Sequence, residues 1–112
     1  MSVRASESAV RAAPVFAALG DATRIRMVAR LGASGPQSTA QLGDGVGVTR
    51  QAIAKHLRVL ADAGLVRATR SGRDSIWELR TRQLAEARRC LEQISTQWDG
   101  ALERLRALVE DE

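Results

Sequence analysis

Thr49 to Leu65 reads TRQAIAKHLRVLADAGL, and its reading decides the fold. It has the pattern of one helix with a start and a stop. Thr49 can cap the start, because its hydroxyl can accept a backbone N–H that the first turn leaves unpaired. Ile53, Leu57, Leu60 and Ala61 recur at helical spacing and form an apolar stripe. Arg50, Gln51, Lys55 and Arg58 project elsewhere. Gly64 supplies the left-handed residue that ends a helix. One face is therefore suited to a core. The other offers guanidinium, ammonium and amide groups, the side chains that read base edges and phosphates in a major groove.

The segment before it supplies a second helix and a turn. Ser38-Thr39-Ala40-Gln41 fits a capping box, with Ser38 as cap and Gln41 reaching back. It opens a short helix around Leu42, which Gly43, Gly45 and Gly47 keep from growing. Val46 and Val48 are expected to plug the turn into the core. A short helix, a glycine-containing turn and a longer basic helix make a helix-turn-helix, whose second helix enters the major groove.

After Gly64 the period changes from helical to alternating. Leu65-Val66-Arg67-Ala68-Thr69-Arg70 and Ser75-Ile76-Trp77-Glu78-Leu79-Arg80 read as strands joined by a turn at Ser71-Gly72-Arg73-Asp74. A two-stranded hairpin is not stable alone and must pack on the helices. Val66, Ala68, Trp77 and Leu79 are the expected inward residues, and Arg70 and Arg73 fall at the tip. A basic hairpin straight after a helix-turn-helix is a wing.

Upstream, residues 1–11 read as a flexible or weakly helical N-terminus. Pro14 suits the first turn of a helix whose buried face is Val15, Phe16 and Leu19. Gly20 ends that helix, and Asp21 caps the next, DATRIRMVARLG. Ile25, Val28 and Leu31 are expected inward there, with Arg24, Arg26 and Arg30 outward. Gly32 to Gln37 reads as a loop.

Downstream, residues 81–110 form one long helix. Leu84, Ala87, Leu91, Ile94, Trp98, Ala101, Leu105 and Leu108 recur in alternating steps of three and four, a helix–helix seam. About thirty residues at ~1.5 Å each span roughly 45 Å, too long for this small core to cover. A second copy of the chain is the simplest further partner. Val15, Phe16, Leu84, Ala87, Leu91, Ile94, Trp98, Leu102 and Leu105 are the expected dimer contacts. The fold class is thus mainly α with a small β-hairpin wing: a single winged helix-turn-helix domain over residues 1–112 with a long C-terminal dimerisation helix.

Charge and composition point the same way. Residues 50–80 hold seven basic and three acidic side chains, which accounts for the whole net charge of +4. Such a concentrated excess is expected of a surface that meets phosphates. Phe16, Trp77 and Trp98 are the only aromatics, too few for a single-strand stacking platform. The glycine turn lacks the lysine of a phosphate-binding loop. One His and one Cys, with no nucleophile elbow, suggest no hydrolytic triad. An enzyme is not expected. With Cys90 alone no internal disulfide can form, which fits a reducing, cytoplasmic location. No apolar run approaches a membrane span, and the N-terminus has no apolar signal core.

On LGDATRIRMVARL, the capped short helix and TRQAIAKHLRVLADAGLVRATRSGRDSIWELR, the chain resembles the ArsR-type winged-helix repressors over about residues 14–108. Their hallmark run falls here on His56, Leu57, Leu60, Ala63, Gly64, Leu65 and Val66. Asp21, Thr23 and Arg24 match a further family pattern. The resemblance implies a homodimeric transcriptional regulator, usually a repressor, on a palindromic operator of double-stranded DNA. Where the family often has Ser, this chain has Ala54, removing one base or phosphate contact. The family's metal-sensing branch carries paired cysteines before the turn, or His and acidic ligands in the last helix. Ser38 to Asp44 has no cysteine and the last helix no histidine, so no metal or cofactor is expected.

The expected DNA-binding residues are Ser38, Thr39, Thr49, Arg50, Gln51, Lys55, His56, Arg58, Arg70 and Arg73. Thr49, Arg50, Gln51 and Lys55 meet bases or nearby phosphates. Arg58, Arg70 and Arg73 hold the backbone. His56 is expected to pack and hydrogen-bond between helix and wing. The competing reading is a protein-interaction module, in which the long seam binds a different chain and DNA binding is secondary or lost.

Overall fold

A computed structural model describes residues 3–110 of the chain. In it follow α1 (Val3–Ala18), α2 (Ala22–Ser34), β1 (Gln37–Ser38), α3 (Thr39–Gly43), α4 (Arg50–Asp62), β2 (Val66–Ser71), β3 (Asp74–Leu79) and α5 (Thr81–Glu110). The result is a winged helix-turn-helix: mainly helical, with a small antiparallel sheet and a long C-terminal helix.

α1 starts earlier than the sequence suggests. Pro14 stands inside the helix, not in its first turn. It withholds the hydrogen bond that the Val10 carbonyl would accept. Val10 and Pro14 are both exposed, so water can serve that carbonyl. Ala12, Val15 and Ala18, three residues apart, form the buried face. Residues 3–11, expected to be flexible or weakly helical, belong to this helix; Met1 and Ser2 lie outside the described residues.

Asp21 caps α2 as expected, accepting the Arg24 backbone N–H at 3.1 Å. The inward face differs from the expected one. Met27 and Leu31 are buried, Val28 packs against the core from its edge, and Ile25 is 51% exposed. Arg24 accompanies this orientation. Its Nε donates to the Ala18 carbonyl at 2.6 Å, so Arg24 shares the inward side with Met27 and Leu31, and Ile25, the next residue round the helix, faces outward.

The capping box forms at α3. Ser38 Oγ accepts from Gln41 N at 3.1 Å, and Gln41 Oε1 accepts from Ser38 N at 2.8 Å. α3 then packs closely on α4: a Cβ on Gly43 would lie 3.3 Å from Ile53 Cγ1. Val46 packs against the core as expected, whereas Val48 is exposed. Ile53, Leu57 and Leu60 of α4 are fully buried. Gly64, at φ +77°, turns the chain into the sheet.

That sheet has three strands, in the order β1-β3-β2. Val66 pairs with Leu79 and Ser71 with Asp74 across the expected hairpin. The third strand, β1, pairs Gln37 with Trp77 and Ser38 with Ile76, where the sequence suggested a loop. Ala68 is exposed, against expectation. Only the first residue of β2, Val66, is buried; beyond it the strand leaves the helices behind.

α1 lies along the first part of α5, and there Ala87 and Cys90 are buried. Val15 and Ala87, expected at a partner, are covered inside the chain at 1% and 4% exposure. Phe16 and Leu84 are half-buried. Leu91, Ile94, Trp98, Leu102 and Leu105 remain exposed, Trp98 by 64%. None of the helices is long and apolar enough to cross a membrane among the described residues.

Candidate nucleic-acid interface

The outer face of α4 is built by its own cap. Thr49 Oγ1 accepts from Ala52 N at 3.1 Å, fixing the first turn, where Arg50 and Gln51 stand. With Ile53, Leu57 and Leu60 held in the core, the helix cannot rotate, and Arg50, Gln51, Lys55 and Arg58 face outward. None of the three basic residues among these makes an ion pair among the described residues. Their charge is free to meet phosphate. A cleft of about 200 Å³ lined by Thr39, Gly43, Val48 and Arg50 brings the start of α3 beside the start of α4.

Two arginines that the sequence reads as outward hold this unit in place. Arg30, on α2, donates Nη1 hydrogens to the carbonyls of Gln41 and Leu42 at 3.0 and 3.1 Å. Its Nη2 donates to the Asp44 carbonyl at 2.9 Å. These carbonyls belong to the end of α3 and the turn, where a helix has no partners of its own. Arg30 thus fixes the turn that sets α4.

Arg24 secures the other side. Its Nη1 lies 3.2 Å from His56 Nδ1. A guanidinium has no acceptor, so Nδ1 must carry the lone pair and Nε2 the proton. Asp21 Oδ1 lies 4.0 Å from the same Nδ1. An Nδ1 accepting from Arg24 has no hydrogen to give Asp21, and the shorter contact defines the arrangement. The Arg24 backbone N–H holds the Asp21 carboxyl below its usual value. Desolvation opposes this, and the charge of Arg24 and the Thr23 backbone N–H add to it. His56 is therefore a half-buried junction residue between α4 and α2, where the sequence suggested the junction of helix and wing.

In the wing, Arg70 and Arg73 are exposed and make no ion pair among the described residues. Arg67 differs, with its guanidinium on the Glu78 carboxylate across the hairpin. Trp77 Nε1 donates to Thr39 Oγ1 at 2.9 Å and ties the wing to the start of α3.

The structure thus brings Thr49, Arg50, Gln51, Lys55 and Arg58 onto one exposed helix and puts Arg70 and Arg73 at the wing tip. Ser38 stands apart: it is 9% exposed and its hydroxyl is engaged in the capping box. The Thr39 hydroxyl already accepts from Trp77. Sequence spacing gave no sign of Arg24 and Arg30 as supports, because helical angle alone assigns both to the surface.

The helix-turn-helix domain family matches residues 19–68. Rv2034, an HTH-type transcriptional regulator of Mycobacterium tuberculosis, is 35% identical over 95 residues, 85% of each chain. YuzN, an uncharacterised HTH-type transcriptional regulator of Bacillus subtilis, is 42% identical over 65 residues, 53% of this chain and 71% of that one. An ArsR-like transcriptional regulator from Rhodococcus sp. RHA1 is similar in structure, with a TM-score of 0.75 and 36% identity over 91% of this chain and 95% of that one. These relatives are transcriptional regulators, a class that is not enzymatic.

Proposed function

The chain belongs to the ArsR-type winged helix-turn-helix family and is a DNA-binding transcriptional regulator, and from that premise we propose that it acts in the cytoplasm as a homodimeric repressor of a palindromic operator. One observation carries the reading. The described residues leave two surfaces unsatisfied: cations without ion pairs on α4 and the wing tip, and an apolar stripe on α5 from Leu91 to Leu105.

The stripe closes against its copy about a two-fold axis, with Leu91, Ile94, Trp98, Leu102 and Leu105 in the contact and Phe16 and Leu84 at its margin. Two α4 helices then enter successive major grooves, about 10 bp apart. Arg50 reads guanine and Gln51 adenine, with Thr49 and Lys55 on neighbouring bases or phosphates. Arg58, Arg70 and Arg73 hold the backbone, the wing tip reaching toward the flanking minor groove. Bound across a promoter, the dimer blocks polymerase.

The test is selection of the purified chain against random duplex DNA, followed by salt titration of the selected site. A two-fold symmetric motif with a steep salt slope is expected. Arg50→Ala should relax base preference by about 1–3 kcal/mol at one position of each half-site. Arg73→Ala should weaken all duplexes alike and flatten the salt slope. The α5 stripe also fits a second reading, an interaction module for a different chain. A monomer in solution that selects no duplex would favour it.

A further inference from the structure

α2 carries a stripe that lies outside the core. Arg26, Ala29, Arg30 and Ala33 follow at helical spacing, and with Gly45 and Val46 of the turn they line a cleft of about 520 Å³. That volume lies within the range of small-molecule sites. Its walls come from the two alanines, the glycine and Val46, and its charged groups are the two arginines. Alanine and glycine here leave room: a Cβ on Gly45 would meet nothing within 4 Å.

The donors of Arg30 are only partly used. Its three bonds to the carbonyls of Gln41, Leu42 and Asp44 start from Nη1 and Nη2. A guanidinium has five N–H groups, so Nε–H and one further hydrogen have no acceptor among the described residues. The Nε–Nη2 edge of a guanidinium is a fork that fits a carboxylate with two parallel bonds. Arg26, one helical turn earlier, makes no ion pair among the described residues. Two cations over a floor of methyl groups match one kind of occupant.

We propose that this cleft is an effector site for a small monocarboxylate with an apolar body. Its carboxylate sits between Arg30 and Arg26, and its body fills the space over Ala29, Ala33 and Val46. A charged acceptor competes well against neutral carbonyls for a guanidinium. A carboxylate shared with Arg26 pulls the Arg30 guanidinium along α2 and out of line with its three carbonyls, which loosens the turn that sets α4, and operator affinity falls. By linkage, operator DNA weakens the ligand by the same factor.

The experiment titrates 2-naphthoate, with the neutral 2-naphthamide as control, into the isotopically labelled full chain without DNA. Backbone amide shifts report the site independently of any DNA reading. Shifts at Ala29, Ala33, Gly45 and Val46 should saturate at one ligand per chain. Naphthamide should bind at least about tenfold more weakly, the loss expected for one charge-assisted pair. Ala33→Phe should fill the cleft and abolish binding. Arg26→Ala, on an exposed turn of α2, should weaken naphthoate about tenfold with the fold intact. Saturating naphthoate should then lower affinity for the selected operator. No shift at millimolar naphthoate, equal affinity for the amide, shifts centred on the α5 stripe, or binding indifferent to both substitutions overturns the site. Binding that leaves operator affinity unchanged overturns its effector role.

Discussion

Arg24, Arg26 and Arg30 stand on one helix with one charge, and the structure gives Arg24 and Arg30 different tasks and leaves Arg26 exposed. Helical angle places all three on the surface, and that much is legible in the sequence. What each guanidinium reaches depends on elements distant in the chain: the Gln41–Asp44 turn for Arg30, and His56 for Arg24. Arg30→Met keeps the aliphatic stem and removes three bonds to carbonyls. Hydrogen bonds to charged groups are worth about 1.5–3 kcal/mol each where desolvated, but this site is partly exposed. A loss of about 2 kcal/mol is expected from urea unfolding, against less than about 0.5 kcal/mol for Arg26→Met. Equal losses would mean that the Arg30 bonds contribute nothing. Asp21 makes a pH-dependent contribution. Its folded pKa lies below the ordinary 3.8, so the unfolded chain takes up the proton first as the solution is acidified. The contribution is complete well above pH 4 and is lost as pH falls through the folded value. Asp21→Asn should therefore flatten the acid limb of stability against pH and leave its shape near neutrality unchanged. Thermal melts from pH 2.5 to 7 check this.

At the scale of elements, what could be read from the sequence was what local chemistry specifies. The Ser38–Gln41 capping box, the Thr49 cap and the Gly64 stop involve residues within a few positions of one another, and all form. The strand β1 could not be read in the same way. Two residues are too few to show alternation, and Gln37 and Ser38 become a strand only because β3 lies alongside them. The exposure of Ala68 has a related cause. Alternation shows which strand residues share a face, but not how far the supporting helices extend beneath them. The start of α3 combines several roles, since Ser38 is at once strand, cap and neighbour of the Trp77–Thr39 link. Ser38→Ala leaves the pairing of β1 and removes the cap. It should cost about 1 kcal/mol and speed hydrogen exchange at the Gln41 amide before any effect reaches α4. Unchanged exchange at Gln41 would show that the cap is replaceable by water. Because Ser38 is buried, the same substitution should leave the salt slope of DNA binding as it was.

For the whole molecule, the decisive feature is the part of α5 that the chain does not cover. The steps of three and four from Leu84 to Leu108 announce a seam, but a seam does not say which partner lies on which part of it. The structure divides it. α1 takes the stretch holding Ala87 and Cys90, and from Leu91 onward the apolar side chains are exposed on a molecule 68 Å long and 28 Å across. A stable two-fold interface needs roughly 800 Å² from each partner, and five large side chains with their neighbours can supply most of that. Ile94 and Trp98 make no part of the buried core, so changing them should act on association and leave the domain intact. The double substitution Ile94→Glu with Trp98→Glu places like charges on both sides of the proposed two-fold contact. Sedimentation at micromolar concentration should then give a monomer whose circular dichroism in the helical region remains close to the parent's. A monomer reads one half-site, so the loss in operator affinity should exceed about a hundredfold, the scale on which linking two binding events raises affinity. Affinity for an isolated half-site should be preserved, because α4 and the wing are untouched. A double variant that still sediments as a dimer would move the two-fold contact away from this stripe. Loss of half-site binding as well would mean that α5 supports the DNA face directly.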